Sequence, residues 1–224
     1  MYKNKVLHSE YNHRHIFTGS IWDLLAIPAW FIPPEKQKRA LILGLGGGAS
    51  CLILDRLFHF KQLVTVEIEA LHIDVTKKFF QLNDKKFVFV NEDGLHWVER
   101  YRGPRFDYIV EDMFVEDAGE PKRAFAANLE WMQQLRGLLS PSGVLVMNFA
   151  DEKELRESCY TRKSFQKNWK TIFRLKPSNA ENVVAIFSQQ ALTSGDLRRR
   201  IAELKGQYPG QRKWPSYTIK KIKT

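Results

Sequence analysis

The stretch Arg39-Ala-Leu-Ile-Leu-Gly-Leu-Gly-Gly-Gly-Ala-Ser50 carries the strongest structural signal in this 224-residue chain. Residues 40–43 form an apolar run that is long enough for a buried strand but too short for a helix. The glycines that follow allow a sharp turn and the close approach of a ligand to the backbone. The apolar residues of the next run, 51–58, have helical spacing. A strand, a glycine-rich turn and a helix in this order begin a nucleotide-binding βαβ unit.

A second predicted strand, residues 61–67, ends in an acidic residue about 20 positions after the glycine-rich turn, where nucleotide-binding folds place a carboxylate. Such a carboxylate accepts hydrogen bonds from both ribose hydroxyls. Without it, a glycine-rich turn would indicate only a tight connection between a strand and a helix. The combination therefore favours a nucleoside site that includes Glu67.

The composition is that of a globular protein with an excess of positive charge. Hydrophobic residues make up 44% of the chain and charged residues 27%, which is ordinary for one domain with short appendages. The net charge of +10 favours an anionic partner or good solubility. Two cysteines, Cys51 and Cys159, form no disulfide framework, so we expect a reducing, cytoplasmic compartment. The apolar stretch 16–32 contains Asp23 and Pro28 and is too short for a bilayer, so we expect no membrane partner.

Strands and helices alternate along the rest of the chain. Further strands are predicted over residues 86–90, 106–111 and 144–149, and helices over 69–82, 122–139 and 151–167. Another helix, carrying Leu95, Trp97 and Val98, is predicted directly after Asp93-Gly94. Two final strands, 171–175 and 182–188, follow each other closely, as in an antiparallel pair at the far edge of a sheet. We therefore predict an α/β fold with a doubly wound sheet, mostly parallel with an antiparallel far-edge strand.

The chain divides into three predicted segments. Residues 1–38 form an N-terminal arm with a short helix that either packs on the sheet edge or covers the site. Residues 39–190 form the main domain, and residues 191–224 form a basic helix and tail. The charge of the tail favours a solvated helix with a frayed terminus. An RNA-binding arm with Trp214 and Tyr217 as stacking groups is the less favoured alternative.

Several acidic residues follow the carboxyl ends of predicted strands. In a doubly wound sheet, ligands bind outside these ends, so we expect the glycine-rich turn, Glu67, Asp93-Gly94 and Asp112 to converge on one rim. Asp93 also has a structural alternative as the N-cap of the next helix. Both roles can apply to the same side chain.

Five segments together resemble a known family. Leu43-Gly-Leu-Gly-Gly-Gly48, Val66-Glu-Ile68, Asp93-Gly94, Phe106-Asp-Tyr-Ile-Val-Glu-Asp112 and Gly143-Val-Leu-Val-Met-Asn148 look like the spermidine synthase-like branch of the class I S-adenosylmethionine-dependent methyltransferases. The resemblance covers residues 40–149 and implies a seven-stranded Rossmann-like sheet. It implies S-adenosylmethionine or its decarboxylated form as cofactor. The implied cofactor-binding residues are Gly44, Leu45, Gly46, Gly47, Gly48, Glu67, Ile68, Asp93, Gly94 and Asp112.

The resemblance also implies a role for each part of the rim. The glycine-rich turn passes the methionine part of the nucleoside, Glu67 binds the ribose and Asp93 lies near the adenine amine. Asp112 faces the sulfonium and the incoming nucleophile, so we predict it as the catalytic residue. The residues predicted to contact the acceptor are Phe114, Glu116 and Asp117. The acidic loop that contains Glu116, Asp117 and Glu120 favours an amine as the acceptor, and a solvated loop is the structural alternative for these acids. No metal is expected.

One departure from the family favours one of two reactions. Polyamine synthases carry Asp-Ser-Ser-Asp-Pro where this chain reads Asp112-Met-Phe-Val-Glu116, so Val115 occupies the second aspartate position. This favours methyl transfer to a small acceptor over the alternative, aminopropyl transfer from decarboxylated S-adenosylmethionine. The second alternative is a non-catalytic nucleoside- or RNA-binding protein. A nicotinamide-dependent oxidoreductase fits the glycine spacing but fits Asp93-Gly94 less well. The sequence is compatible with a homodimer.

Overall fold

A mixed eight-stranded sheet forms the centre of the protein. The computed structural model describes residues 2–3, 6–7, 9–10, 12, 14–82, 85–117 and 120–223, and for 2–3, 6–7, 116–117, 120–121 and 223 it describes the backbone alone. The described strands are, in chain order, β1 (Tyr2–Lys3), β2 (Val6–Leu7), β3 (Arg39–Leu43), β4 (Gln62–Glu67), β5 (Phe87–Asn91), β6 (Phe106–Glu111), β7 (Phe114–Asp117), β8 (Glu120–Arg123), β9 (Leu139–Phe149), β10 (Thr171–Pro177), β11 (Val183–Ser188) and β12 (Tyr217–Lys223).

The main sheet has the strand order β12-β10-β11-β9-β6-β3-β4-β5. From β9 to β5, neighbouring strands are parallel. β11 is antiparallel to β9, and each of the next two strands, β10 and β12, is antiparallel to its inner neighbour. The predicted α/β sheet, mostly parallel with antiparallel pairing at its far edge, is confirmed. Two small antiparallel pairs, β1 with β2 and β7 with β8, lie outside it.

The predicted strand number of seven is wrong, because the main sheet has eight strands. The additional strand is β12, which is formed by part of the basic tail that we expected to be frayed, and it pairs with β10. Tyr217 and Ile219 pack against the hydrophobic core, in the period-two pattern of a strand. The surrounding lysines obscured this pattern. Lysine is nevertheless common on edge strands, because its charge discourages pairing with another chain.

Helices cover both faces of the sheet in the described part of the chain. They are α1 (Ile21–Ala26), α2 (Ala49–Leu57), α3 (Ala70–Phe79), α4 (Gly94–Arg100), α5 (Leu129–Leu138), α6 (Glu152–Glu157), α7 (Lys163–Gln166) and α8 (Ser194–Gln207). α1, α2, α3 and α8 pack on one face, and α4 to α7 pack on the other. Successive residues of β3 face the two layers in turn: Ala40 and Ile42 one, Leu41 and Leu43 the other. This explains why β3 reads as a continuous apolar run.

Two predicted helices are shorter than expected. The helix predicted over 122–139 begins at Leu129, where the Asn128 side chain accepts a hydrogen bond from the Trp131 amide at 2.9 Å. The helix predicted over 151–167 is interrupted after α6. The Ser158 hydroxyl there donates to the Leu155 carbonyl oxygen, and such side-chain bonds to the backbone compete with helical ones.

The apolar stretch 16–32 is part of the core. It forms α1 and a 3₁₀ helix, Ile27–Phe31, and most of its large side chains are buried against the sheet and α2. Among the residues that the structure describes, no helix is both long and apolar enough to cross a membrane.

The two aromatic residues of the alternative RNA-binding arm pack against the protein. The Trp214 ring lies with its centroid 5.6 Å from that of Phe17, and its indole N–H donates to the Gln211 carbonyl oxygen at 3.1 Å. Tyr217 begins β12 and contacts the core. Neither ring is therefore a free stacking platform.

Candidate functional site

Four connections meet at one edge of the parallel part of the sheet. Because β3, β4, β5 and β6 run in the same direction, their carboxyl ends bring the glycine-rich turn, Glu67, Asp93 and Asp112 to this edge. The Asp112 amide donates to the carbonyl oxygen of Leu43, the last residue of β3, at 2.9 Å. The structure thus assembles the rim that the sequence predicts from four separate parts of the chain.

The glycine-rich turn packs directly against the backbone of Asp112. Gly44 has a left-handed backbone with φ +84°, and a Cβ atom at this position would lie 2.3 Å from the Asp112 carbonyl oxygen. Gly48 has φ +90°, and a Cβ atom there would lie 2.8 Å from Thr76 Cγ2. Both positions require glycine for conformation and for space. The turn is therefore held in one shape by its neighbours.

The Gly44→Ala substitution is expected to lower the free energy of unfolding by about 2–4 kcal/mol, because it adds left-handed strain and a steric overlap. Chemical denaturation of the variant would measure this loss. The control is Gly206→Ala in α8, where a Cβ atom meets nothing within 4 Å, so alanine should leave stability equal or slightly higher. Equal stability of Gly44→Ala and the wild type would contradict the close approach of the turn to Asp112.

The Glu67 carboxylate fastens the glycine-rich turn. Its Oε2 atom accepts hydrogen bonds from the amides of Leu45 and Gly46 at 2.9 and 3.0 Å. Its Oε1 atom accepts from the Glu69 amide at 2.9 Å and lies 3.5 Å from Nδ1 of His72. Burial opposes ionisation, but these hydrogen bonds outweigh it and hold the pKa of Glu67 below its ordinary value. The structure thus presents an ionised carboxylate at the predicted ribose position, engaged by the protein through both oxygens.

The N-terminal arm reaches the turn through Ser9, a residue that our sequence reasoning did not identify. The buried Ser9 hydroxyl accepts a hydrogen bond from the Gly47 amide at 2.7 Å. Farther along the arm, the side chains of Leu24 and Leu25 are buried in the core. The arm therefore both packs on the sheet and contacts the glycine-rich turn. No local pattern marks Ser9, because its partner lies 38 positions away.

Asp93 has the N-cap role that we considered for it. Its side chain accepts a hydrogen bond from the His96 amide at 3.0 Å, at the start of α4. The carboxylate remains partly exposed. Gly94 follows it, and a Cβ atom there would lie 2.3 Å from the Met113 sulfur atom. The connections after β5 and β6 are therefore in contact.

The Asp112 carboxyl group lies beside the amide of a residue on the neighbouring strand. Its Oδ1 atom accepts a hydrogen bond from Nδ2 of Asn148, near the end of β9, at 2.8 Å. Burial raises the pKa of Asp112 to about 7, and the nearby Glu111 adds to this, while the hydrogen bond from Asn148 opposes it. A carboxylate with a pKa near neutrality can take up and release a proton at physiological pH.

A buried arginine, Arg123, connects several residues at the same edge of the sheet. The Arg123 guanidinium donates to Glu111 Oε2 and to the Asn148 carbonyl oxygen, and its Nε lies 3.1 Å from Oε1 of Glu154. Burial raises the pKa of Glu111, while the charge of Arg123 opposes this effect. Sequence reasoning missed Arg123 by placing it in a helix. The sequence nevertheless contains a signal for β7 and β8, because the residue runs 114–117 and 120–123 are separated by two residues, the spacing of a hairpin.

The predicted acceptor residues lie on or beside this hairpin. Phe114 is half-buried, with its ring centroid 5.7 Å from the Arg123 guanidinium carbon. The backbones of Glu116 and Asp117 belong to β7, whereas their side chains lie outside the described part of the structure. Among the described residues, no group of three or more histidine, cysteine, aspartate or glutamate side chains is arranged to hold a metal ion.

Comparison with known proteins gives both a family and relatives. Residues 23–195 match the model of the Spermine/spermidine synthase domain. An eEF1A lysine and N-terminal methyltransferase homolog from Drosophila melanogaster is 30% identical over 127 residues, which is 54% of this chain and 19% of that protein. A polyamine aminopropyltransferase from Vibrio vulnificus is 28% identical over 167 residues, 70% of this chain and 54% of that protein. The chain thus spans about a fifth of the first relative and about half of the second.

A solved structure shares the fold. Human methyltransferase-like protein 13 in complex with SAH superposes with a TM-score of 0.63 and 18% identity, covering 87% of this chain and 92% of that chain. The family match extends from α1 to the start of α8 and includes the whole rim. Because this match covers most of the chain and the observed sheet agrees with it, the chain belongs to the spermine/spermidine synthase domain family.

Proposed function

We propose that the protein is a transferase that binds an S-adenosylmethionine-type sulfonium nucleoside and moves a methyl group to a small acceptor. The single observation that carries this proposal is the contact of the glycine-rich turn with Asp112, a carboxyl group whose pKa is raised to about 7. Family membership supports the proposal, since relatives are named as methyltransferases and aminopropyltransferases.

The residues of the rim fit a nucleoside. Glu67 is ionised and buried, and Ile68 directly after it is 61% exposed, so a charged acceptor adjoins an apolar surface. We assign Glu67 and Ile68 to the ribose, Asp93 and Gly94 to the adenine, and the backbone of Gly44 to Gly48 to the methionine part. A ribose would share or replace the contacts of Glu67 with the turn.

Catalysis by this chain consists of positioning and of accepting a proton. The sulfonium group of the cofactor supplies an electrophilic carbon. Holding an acceptor in line with that carbon can supply about 7–11 kcal/mol of the barrier reduction. We assign to Asp112 the acceptance of a proton from the nucleophile, or the stabilisation of its positive charge. Phe114, Glu116 and Asp117 are assigned to the acceptor, which we propose to be an amine.

Aminopropyl transfer is the second candidate, because the family and the Vibrio relative carry that activity in their names. Val115, at the second aspartate position of polyamine synthases, is 47% exposed on β7 and offers no charge to a polyamine. We therefore favour methyl transfer. Incubation with each nucleoside and a panel of amines tests both: release of S-adenosylhomocysteine means methyl transfer, and release of methylthioadenosine means aminopropyl transfer. Nucleoside binding without either product would instead support the second alternative, a non-catalytic nucleoside binder.

The Glu67→Gln substitution is expected to weaken nucleoside binding about 10–100-fold, because the ribose loses a charged hydrogen-bond acceptor. Titration calorimetry with S-adenosylmethionine and with S-adenosylhomocysteine would measure the change. The matched control is Glu92→Gln, after the end of the next strand, where the glutamate pairs with the exposed Arg100. Circular dichroism would show whether the variant remains folded. Equal affinity of the folded Glu67→Gln variant and the wild type would rule out the ribose assignment.

A further inference from the structure

We infer that Asn148, itself held by Asn182, is a positioning residue that orients the Asp112 carboxyl group for the reaction. The inference rests on the proposed function only in naming Asp112 as the reacting group. It is carried by a chain of hydrogen bonds that crosses the rim and by the burial of the amide at its centre.

The three residues lie at the ends of adjacent strands. The Asn182 side chain, just before β11, donates from Nδ2 to Asn148 Oδ1 at 3.2 Å. Asn148 in turn donates from Nδ2 to Asp112 Oδ1 at 2.8 Å, just beyond the end of β6. β11 runs antiparallel to β9, so its amino end lies at the same rim as the carboxyl ends of β9 and β6.

The hydrogen bonds define which way the Asn148 amide points. The Asn148 residue is 5% exposed, and its backbone, as distinct from its side-chain amide, accepts a hydrogen bond from Arg123 at the carbonyl oxygen. A flipped amide would place Oδ1 against the Asp112 carboxylate and would set Nδ2 against the amide donor of Asn182. Both contacts would be unfavourable, because each joins two groups of the same hydrogen-bonding type.

This orientation directs one oxygen of Asp112 toward the protein and leaves the other for the acceptor. Within the described residues, the side-chain hydrogen bond to Asp112 comes from Asn148 and ends on Oδ1. Oδ2 is therefore the atom that can accept a proton from a nucleophile. A side chain that fixes the rotation of this carboxyl group fixes the direction of proton transfer.

The same hydrogen bond acts on the ionisation of Asp112. The charged groups that face Asp112 are Glu111 from β6, Glu67 from β4 and Arg123 from β8. All three remain when Asn148 or Asn182 is replaced. A hydrogen bond donated to a carboxylate stabilises its charged form, so loss of the donor should raise the pKa of Asp112.

The test is a titration of Asp112 by NMR in protein labelled with ¹³C at the aspartate carboxyl carbon. Asp112→Asn identifies the signal by removing it. From a starting pKa of about 7, Asn148→Ala should move the titration midpoint upward by about one pH unit. Asn182→Ala should move it in the same direction by a smaller amount. The matched control is Asn179→Ala. Asn179 lies between β10 and β11, as Asn182 does, but its side-chain amide donates to the Gly19 carbonyl oxygen at 2.9 Å.

The outcomes separate positioning from a structural role. Upward shifts of the Asp112 titration midpoint in both Asn148→Ala and Asn182→Ala, with none in Asn179→Ala, support the inference. The acidic limb of the turnover profile should then shift by the same amount, while nucleoside affinity is unchanged. An unchanged midpoint in folded Asn148→Ala overturns it. Should Asn148→Ala fail to fold, the partly exposed Asn182 decides the matter in the same titration. The titration needs no turnover, so failure of the proposed function would appear separately, as absence of product from the wild type.

Discussion

Asp112→Asn is expected to lower turnover about 10²–10⁴-fold, the contribution of a positioned proton acceptor, and to weaken nucleoside binding much less. Asparagine keeps the size of the side chain and removes its charge and its ability to accept a proton. The glycine-rich turn meets the backbone of residue 112, which the substitution leaves in place. Binding and turnover should therefore separate in this variant.

The pH dependence gives the prediction a second readout. The pKa of Asp112 is raised to about 7, so the basic form is lost as pH falls through that value. Turnover of the wild type should decline below about pH 7, tenfold per pH unit, if Asp112 is the proton acceptor. The residual turnover of Asp112→Asn should lack this limb. Product release measured from pH 5 to 9 at nucleoside concentrations well below saturation, where the rate reports kcat/KM and hence the free enzyme, would show both profiles.

The raised pKa also predicts a direction for stability. Folded Asp112 binds its proton more tightly than the unfolded chain does, so its contribution to the free energy of unfolding falls as pH rises from about 4 to 7 and is lost above that range. Asp112→Asn should remove this contribution. The control is Asp74→Asn, an exposed aspartate of α3. Turnover of Asp112→Asn equal to that of the Asp74→Asn control would exclude Asp112 as the catalytic residue.

Arg123→Met is expected to lower the free energy of unfolding by about 3–5 kcal/mol, the usual cost of removing one partner from a buried ion pair. The Arg123 side chain is 4% exposed, and that of Glu111 is 0% exposed. Without the guanidinium, Glu111 must remain charged in an apolar setting or take up a proton. The hairpin of β7 and β8 would also lose its contact with β9 through the Asn148 carbonyl oxygen.

Urea denaturation of Arg123→Met would measure this loss, with the slope of the transition checking that unfolding remains two-state. Arg100→Met is the control, because Arg100 pairs with Glu92 on the surface and exposed ion pairs contribute little. The double variant Arg123→Met with Glu111→Leu should recover much of the stability, since it removes the unpaired charge. If the single variant is as stable as the Arg100→Met control, Glu111 does not depend on Arg123.

Much of the rim could be predicted from local patterns in the sequence. The predicted strand 106–111 coincides with β6, and the predicted strand 61–67 differs from β4 by one residue. These strands are short, buried and bounded by glycine or charged residues, so their periodicity is clear. The N-cap role of Asp93 was also readable, because capping depends on residues only three positions apart.

The residues that support the rim could not be predicted from local patterns. Ser9, Arg123 and Asn182 act on groups that are distant in sequence: the Gly47 amide, the Glu111 carboxylate and the Asn148 amide. Nothing in a local window distinguishes a buried, paired arginine from a solvated one. Asn182 was further hidden because it lies at the amino end of an antiparallel strand, whereas the search for site residues considered the carboxyl ends.

The sequence alone determined the parallel half of the sheet and the order in which the site residues follow its strands. The features that determined them are the glycine-rich turn, the acids after successive strands and the apolar runs between them. Such features act through backbone conformation and side-chain spacing within a few residues. The pairing of the eighth strand, the ion pair of Arg123 and the partners of Asp112 depended on the folded chain. Edge pairing, ion pairs and amide orientation gain their free energy from groups that only the tertiary fold brings together, so their energetics have no local signature.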